Sequence, residues 1–410
     1  MHIWIISDGE PLPTDDKEVR LRRMGNLARI LSSRNHKVSW ITSNFEHYTK
    51  RFRSNDDHII TLKSNYRIVL FSTKGYKKNV SLARMRHYNT LVKKFRKFVQ
   101  KEEKPDIILC TMAPIELGKE VKKYCIENNV KYVIDIRDLW PDVYYEVTPK
   151  ATHLLVKILV EKTRRNLKGV LKNSNGIVAV TNKFLDYGLN IANMKKRDTD
   201  IVVHTAYPGS NIFDNKNDFD AFWQQYNISS SDFIVTFVGN FGQQFDLDTV
   251  KETIDKLSNE NIKFVLCGTG ERLSFFKDYY KNNSNVILPG WVNANEISSL
   301  LTNSDVGIAP YINSKNYQWN YPNKFGEYLS AGLPVMVSVE GLMSEFVLNN
   351  ECGNYYKNSD ELAKNIMRYF NNKKLQKTHS KNARKEFELN FDSKKVYNDF
   401  SDYLEKTSDL

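Results

Sequence analysis

Residues 306–339, VGIAPYINSKNYQWNYPNKFGEYLSAGLPVMVSV, contain a complete strand–helix–strand unit. "VGIAPY" and "PVMVSV" are short apolar runs of strand length. Between them a polar, aromatic lead-in meets Pro322, which suits the first turn of a helix because its missing N–H would be unpaired there anyway. Gly332 is a natural C-terminal stop, and Pro334 prevents continuation. The expected helix is short, over residues 322–331. Its N-terminus follows a buried strand through a loop, so its free N–H groups and dipole favour a phosphate. Lys324 adds a point charge, and Glu327, one turn on, can accept from two vicinal hydroxyls such as those of a ribose. The plainer reading is an amphipathic helix with a lysine and a glutamate on its surface.

The same alternation runs through most of the chain. In the first half, "HIWIIS", "KVSWIT", "RIVLFS", "DIILCT", "YVIDI", "GIVAV" and "DIVVH" read as strands separated by helical stretches. One of these, residues 18–34, keeps Met24, Leu27, Ala28 and Leu31 on one face. A polar stretch near residues 207–218 follows, and "FIVTFVG", "IKFVLCG", "NVILPG", "VGIAPY" and "PVMVSV" restart the series. Short buried strands in β-α-β order imply parallel sheets covered by helices on both faces. Two series imply an α/β chain of two Rossmann-like domains, residues 1–206 and 207–390, with a final helix over about 391–410 packing back on the first. Such sheets bind ligands at the carboxyl ends of their strands, so a site in a cleft between the domains is expected.

Composition narrows the class. The 410 residues are too many for one ordinary domain. The start, "MHIWIISDGE", reads as a first strand, and no run reaches the ~18 apolar residues of a membrane span. Cys110, Cys125, Cys267 and Cys352 lack metal-ligand spacing and read as buried thiols of a reducing cytoplasm. Charge is lopsided: residues 1–210 carry 39 Lys and Arg against 22 Asp and Glu, whereas residues 211–410 carry 21 against 26. A basic first half suits an anionic partner, whether a phospholipid surface, a polyprenyl diphosphate or nucleic acid; a solvated helix face is the plainer alternative.

Further candidates lie just after strands. Gly239 and Gly242 in "FVGNFGQQFDLDTV" would let backbone approach a diphosphate, although a plain strand-to-helix turn reads equally well. Gly268 and Gly270 in "LCGTGERL" repeat the theme, but the third glycine of a dinucleotide fingerprint is missing, as is a phosphate-loop Gly-Lys-Ser/Thr. A nicotinamide dehydrogenase and a nucleoside-triphosphatase are therefore disfavoured. In "VIDIRDLWPDVY", Asp135, Asp138 and Asp142 cluster around Arg137, as a proton acceptor and phosphate clamp or as an ion pair pinning a loop. A metal site from Asp135 and Asp138 lacks a supporting histidine. After the first strand, Gly9 and Glu10 form a turn, and Arg20 and Arg23 lie one helical turn apart, able to share a face.

Together these stretches resemble the fourth family of retaining glycosyltransferases, with two Rossmann-like domains in the B-type arrangement, and bacterial members that build cell-surface polysaccharides in particular. "RLRRMGNLARILSSRNHKVSWIT", "VIDIRDLWPD", "FVGNFG", "LCGTGE", "LPGWVNANEISSLLTNSDVGIAPY" and "YPNKFGEYLSAGLPV" carry the resemblance, the last most specifically. It implies that the second domain binds a nucleotide-sugar donor, with uridine the favoured base. Glu327 would hold the ribose, Asn323 and Lys324 the diphosphate, and Gly290 and Trp291 the base. Arg137 and Asp138 would face the donor sugar from the first domain, where Gly9, Glu10, Arg20 and Arg23 would lie on the acceptor side. Two departures stand out. Trp319 occupies the place of the family's second glutamate, leaving its aromatic face or Asn320 to recognise the sugar. Asn240 and Phe245 hold the places of an arginine and a lysine. The expected reaction is retaining, metal-independent transfer to a lipid-linked or saccharide acceptor, without cofactor or nucleic acid. The expected place is the cytoplasm, at the inner face of the cell membrane, with peripheral contact to anionic lipid. An epimerase of the same fold, or a non-catalytic partner subunit, is the alternative.

Overall fold

The computed structural model describes residues 1–16, 19–79, 81–208, 221–229 and 231–410. The chain divides into two compact units. The first is Met1–His204 with Lys395–Leu410, and the second is Thr205–Lys394. Most of the polar stretch expected to join them, residues 209–218, lies outside the described residues.

Eight strands build the first unit among its described residues. They are β1 (His2–Ile6), β2 (Lys37–Ser43), β3 (His58–Lys63), β4 (Tyr66–Phe71), β5 (Ile107–Thr111), β6 (Lys131–Ile136), β7 (Gly176–Ala179) and β8 (Ile201–Val202), in spatial order β3-β4-β2-β1-β5-β6-β7-β8. All pairings are parallel except β3 with β4. Every residue of β1 and β5 is buried, as expected of central strands covered on both faces. The antiparallel β3 was not anticipated from the sequence. Its residues, HIITLK, are largely exposed at the sheet edge, so they carry no buried run.

The helix expected from residue 18 begins at Arg23 and ends at Ser33. Residues 19–22 are not helical; Leu21 is buried, and its side chain lies 3.1 Å from where a Cβ on Gly25 would be. Arg20 and Arg23 therefore do not share a helix face, contrary to the expectation from their spacing. The C-terminal helix Ser393–Asp409 covers the first unit with its later residues: Glu405 accepts from Arg34 and pairs with His36, and Tyr403 donates to the Thr199 carbonyl.

The second unit holds β9 (Phe233–Val238), β10 (Ile262–Cys267), β11 (Val286–Gly290), β12 (Val306–Ala309), β13 (Val335–Val337) and β14 (Gly353–Tyr355). They pair in parallel in the order β11-β10-β9-β12-β13-β14. Strand alternation separates its core into two clusters. Phe233, Val235, Phe237, Phe264 and Leu266 point to one face, and Ile234, Val265 and Cys267 to the other, where Trp223 closes the packing. β14, GNY, was also missed; three residues without an apolar run leave no periodic signal.

One buried ion pair organises the first unit. Arg23, 3% exposed, donates to both oxygens of Asp135 at the end of β6 and to the carbonyls of Val203 and His204 just past β8. Arg23→Met is expected to destabilise the protein by roughly 3 kcal/mol, because it strands a buried carboxylate that Arg137 only partly compensates. Chemical denaturation followed by circular dichroism measures this; a loss below about 1 kcal/mol would show that the pair is dispensable.

Candidate functional site

In the second unit the loops leaving four adjacent strands are laced together by backbone bonds. Gly239 N–H donates to Cys267, Phe241 N–H to Thr269, Gly268 N–H to Gly290 and Asp246 N–H to Pro310, at 2.7–2.9 Å. Close approach requires glycine here. Gly268 has φ +142°, and a Cβ there would stand 1.7 Å from the Gly239 carbonyl oxygen. Gly270, at the same φ, faces the Asn240 side chain and the Phe241 backbone. Gly242 lies against Asn240 and Gln244. The two glycine loops expected from the sequence thus form one backbone-lined patch at the carboxyl ends of β9 and β10.

The helix Asn323–Ser330 brings Lys324 to that patch. Its N-cap is Pro322, in extended conformation, whose side chain offers no capping bond. Lys324 is 7% exposed, and its Nζ lies 2.7 Å from where a Cβ on Gly239 would be. Phe237, Phe245 and Tyr328 present ring faces to the same ammonium, with centroids 4.8, 5.2 and 5.8 Å away. An ammonium held over aromatic faces keeps its charge at modest cost on burial. Phe245 is thereby a wall of the Lys324 pocket. Glu327, 5% exposed, accepts a hydrogen bond from Tyr207 at 2.8 Å. Tyr207 is itself fixed through backbone bonds to Phe391 and Ser393. Sequence reasoning gave no role to Tyr207 or Phe237: Phe237 opens the FVGNFG stretch but reads there as a strand residue, and only the fold brings the two to this helix.

Gly290 borders this patch, its carbonyl accepting from the Gly268 N–H. Gly290, at φ +88°, has open space where a Cβ would go, and the adjacent Trp291 is 70% exposed. Trp319 lies under the Lys315 ammonium, 4.3 Å from its ring centroid. The side-chain oxygen of Asn320 is buried without a hydrogen-bond partner among the described residues, a condition that calls for a donor.

The first-unit candidates form a separate network. Asp135 lies between Arg23 and Arg137, 3.4 Å from the latter's Nε. Arg137 also pairs with Glu10, whose other oxygen accepts from the Met24 N–H at 3.0 Å. Burial opposes the charge on Arg137, but Glu10 and Asp135 hold its proton above the ordinary arginine range. Arg23 and Glu10, expected on an acceptor side, are thus buried members of a structural ion network; Arg20 is exposed, and Gly9 turns at φ +87°. Asp142 does not join Arg137 as its spacing suggested; it pairs with Arg164 at 2.6 Å, because the chain turns into the helix Val143–Val147 beside the helix His153–Lys172. Burial lifts the Asp138 carboxyl to about 6 against the opposing pull of Arg137 and the Trp140 N–H. A second dyad, unforeseen, joins His87 to Asp8 at 2.9 Å. Burial alone would raise the Asp8 carboxyl, yet bonds from His87 and Ser43 hold it below the usual range. Among the described residues no group of three or more His, Cys, Asp or Glu is arranged to hold a metal ion.

Residues 218–386, within the second unit, match the family model described as glycosyl transferases group 1. No curated protein matches the chain. Among solved structures, sucrose-phosphate synthase from Thermosynechococcus elongatus is similar, with a TM-score of 0.72 at 16% identity over 99% of this chain and 98% of that one. HepE of Anabaena in complex with UDP-glucose gives 0.63 at 14% identity over 100% of both chains. WaaG, a glycosyltransferase involved in lipopolysaccharide biosynthesis, gives 0.65 at 12% identity over 98% and 99%. At these identities the likeness shows the fold: two parallel-sheet α/β units of the kind found in B-type glycosyltransferases.

Two measurements check this geometry. Gly268→Ala should cost at least about 2 kcal/mol more than Gly290→Ala, since the first meets backbone and the second only an unfavourable φ. Equal costs in thermal denaturation would contradict the interlocked loops. Asp138 binds its proton more tightly folded than unfolded, so its contribution to stability falls as pH rises from about 4 through about 6. Asp138→Asn should remove that decline, worth on the order of 2–3 kcal/mol between pH 4 and pH 8. An unchanged pH–stability profile in the variant would show that Asp138 titrates normally.

Proposed function

We propose that this chain transfers a hexosyl or N-acetylhexosaminyl group, with retention at the anomeric carbon, from a UDP-sugar to a hydroxyl of a lipid-linked intermediate in cell-surface polysaccharide synthesis. The observation that carries the reading is the Lys324 ammonium placed against Gly239, in the first turn of a helix that opens on Pro322. Backbone N–H groups, a helix dipole and a fixed cation converging on one patch suit a diphosphate. The group 1 domain match over residues 218–386 supports the same use. HepE, of similar fold, has been solved with UDP-glucose, which favours uridine as the base.

In this reading Glu327, held by Tyr207, receives the ribose hydroxyls, and Gly290 and Trp291 border the base. Asn323 supplies an N–H to the diphosphate. The buried Asn320 oxygen and the Trp319 ring take the part of the family's second glutamate toward the sugar. Arg137 and Asp138 are the first-unit groups proposed to act on the donor sugar. Transfer builds positive charge at the anomeric carbon and negative charge on the departing diphosphate. Preorganised donors stabilise the latter most, each contributing about 2.7–4 kcal/mol. Lys324 and the helix N-terminus would do this without a metal. The basic excess of residues 1–210 favours a peripheral contact with anionic lipid, where a lipid-linked acceptor would be met. Trp319 also fits a non-catalytic partner subunit, which would bind UDP yet release none from a UDP-sugar.

Lys324→Ala should lower turnover about 10²–10³-fold with the circular-dichroism spectrum unchanged. Near-wild-type turnover by the purified variant would remove Lys324 from the reaction. Activity should survive exhaustive chelation; a complete loss restored by a divalent cation would overturn metal independence.

A further inference from the structure

We propose that the outer face of the helix His153–Lys172 docks this protein on an anionic phospholipid bilayer. Its inner face, with Val156, Val160 and Leu167, is buried in the first unit. The outer face is apolar where water would select polar groups. Leu154, Leu155 and Ile158 are 77%, 71% and 67% exposed, and Leu159 is 40% exposed. Positions i, i+1, i+4 and i+5 make one continuous stripe over the first two turns. Single exposed apolar residues are ordinary, but a contiguous stripe marks an interaction surface.

Charge identifies the occupant. Beyond the stripe the helix exposes Lys157, Lys162, Arg165 and Lys168 against the one exposed acid Glu161. An apolar stripe rimmed by lysine and arginine is the pattern of a helix lying in the plane of an anionic interface, its stems buried among acyl chains and its charges at the headgroups. The apolar surface continues onto the helix Leu82–Phe98, where Leu82 is 69% and Met85 49% exposed. Leu82, Met85 and Leu159 also line a cavity of about 280 Å³ that reaches inward to Ile115 and Trp140. The cavity therefore opens on the proposed docking face, where a lipid chain could enter it from the bilayer. The inference rests on the reading above, in which the acceptor is lipid-linked, and it names the surface through which that acceptor is met.

Flotation of the full chain with phosphatidylcholine vesicles, with and without phosphatidylglycerol, tests it. The wild-type chain should float with the anionic vesicles, and Leu154→Asp/Leu155→Asp/Ile158→Asp should lower binding at least about tenfold. Lys157→Glu/Lys162→Glu should abolish the preference for anionic over neutral vesicles. Thermal stabilisation by UDP, read on the same samples, should be unchanged in all variants. Absence of wild-type binding, or equal binding by the triple variant, overturns the docking face. So does a wild-type dimer that the triple variant converts to monomer without altered flotation, which would assign the face to a second copy. Flotation lost in the triple variant, with no UDP stabilisation in any sample, upholds the docking face and overturns the donor reading instead.

Discussion

The candidate site of the second unit turns on the contact between a buried ammonium and a glycine. At Gly239 any side chain would collide with Lys324 Nζ and with the Phe237 ring, both within 3 Å of the added carbon. The lysine, the glycine and three aromatic rings therefore form one local solution. The rings border the ammonium, and the glycine lets the loop backbone stand beside it. The adjacent glycine loop is held against the first by the same requirement, since Gly268 touches the Gly239 carbonyl. A parallel sheet makes this possible because it delivers successive strand ends to one edge. The result is a patch built mostly from backbone beside one ammonium.

The first unit solves a different problem. Its excess of basic residues must be reconciled with a close-packed sheet, and the Arg23–Asp135–Arg137–Glu10 chain does so by alternating charge in the interior. Such a network fixes the positions of strand ends, because each member loses a partner if another moves. It also explains why Asp138, next in sequence, is perturbed upward: burial prevails over the nearby Arg137, whose charge is already engaged by Glu10 and Asp135.

The sequence disclosed the buried, periodic parts of this architecture well. β1, β2, β5, β6, β9, β10 and β12 are apolar runs bounded by turn residues, and each lies within about a residue or two of its expected place. β3 and β14 escaped because an exposed edge strand and a three-residue strand carry no such signal. The helix Asn323–Ser330 was legible from its proline and glycine brackets, and Lys324 and the glycine loops from their places after strands. What sequence could not show was long-range partnership. Arg23 looked like a surface group of a basic helix, and only the fold places it on Asp135, 112 positions away. Likewise Tyr207 meets Glu327 across 120 positions, and Asp142 prefers Arg164 to the nearer Arg137.

The most direct test is the crystal structure of the protein with UDP bound. The account predicts the pyrophosphate at the start of the helix Asn323–Ser330, within hydrogen-bond distance of Lys324 and the backbone of residues 239–242, with the ribose at Glu327. A nucleotide bound elsewhere, with Lys324 still enclosed by Phe237, Phe245 and Tyr328 and touching no phosphate, would contradict it.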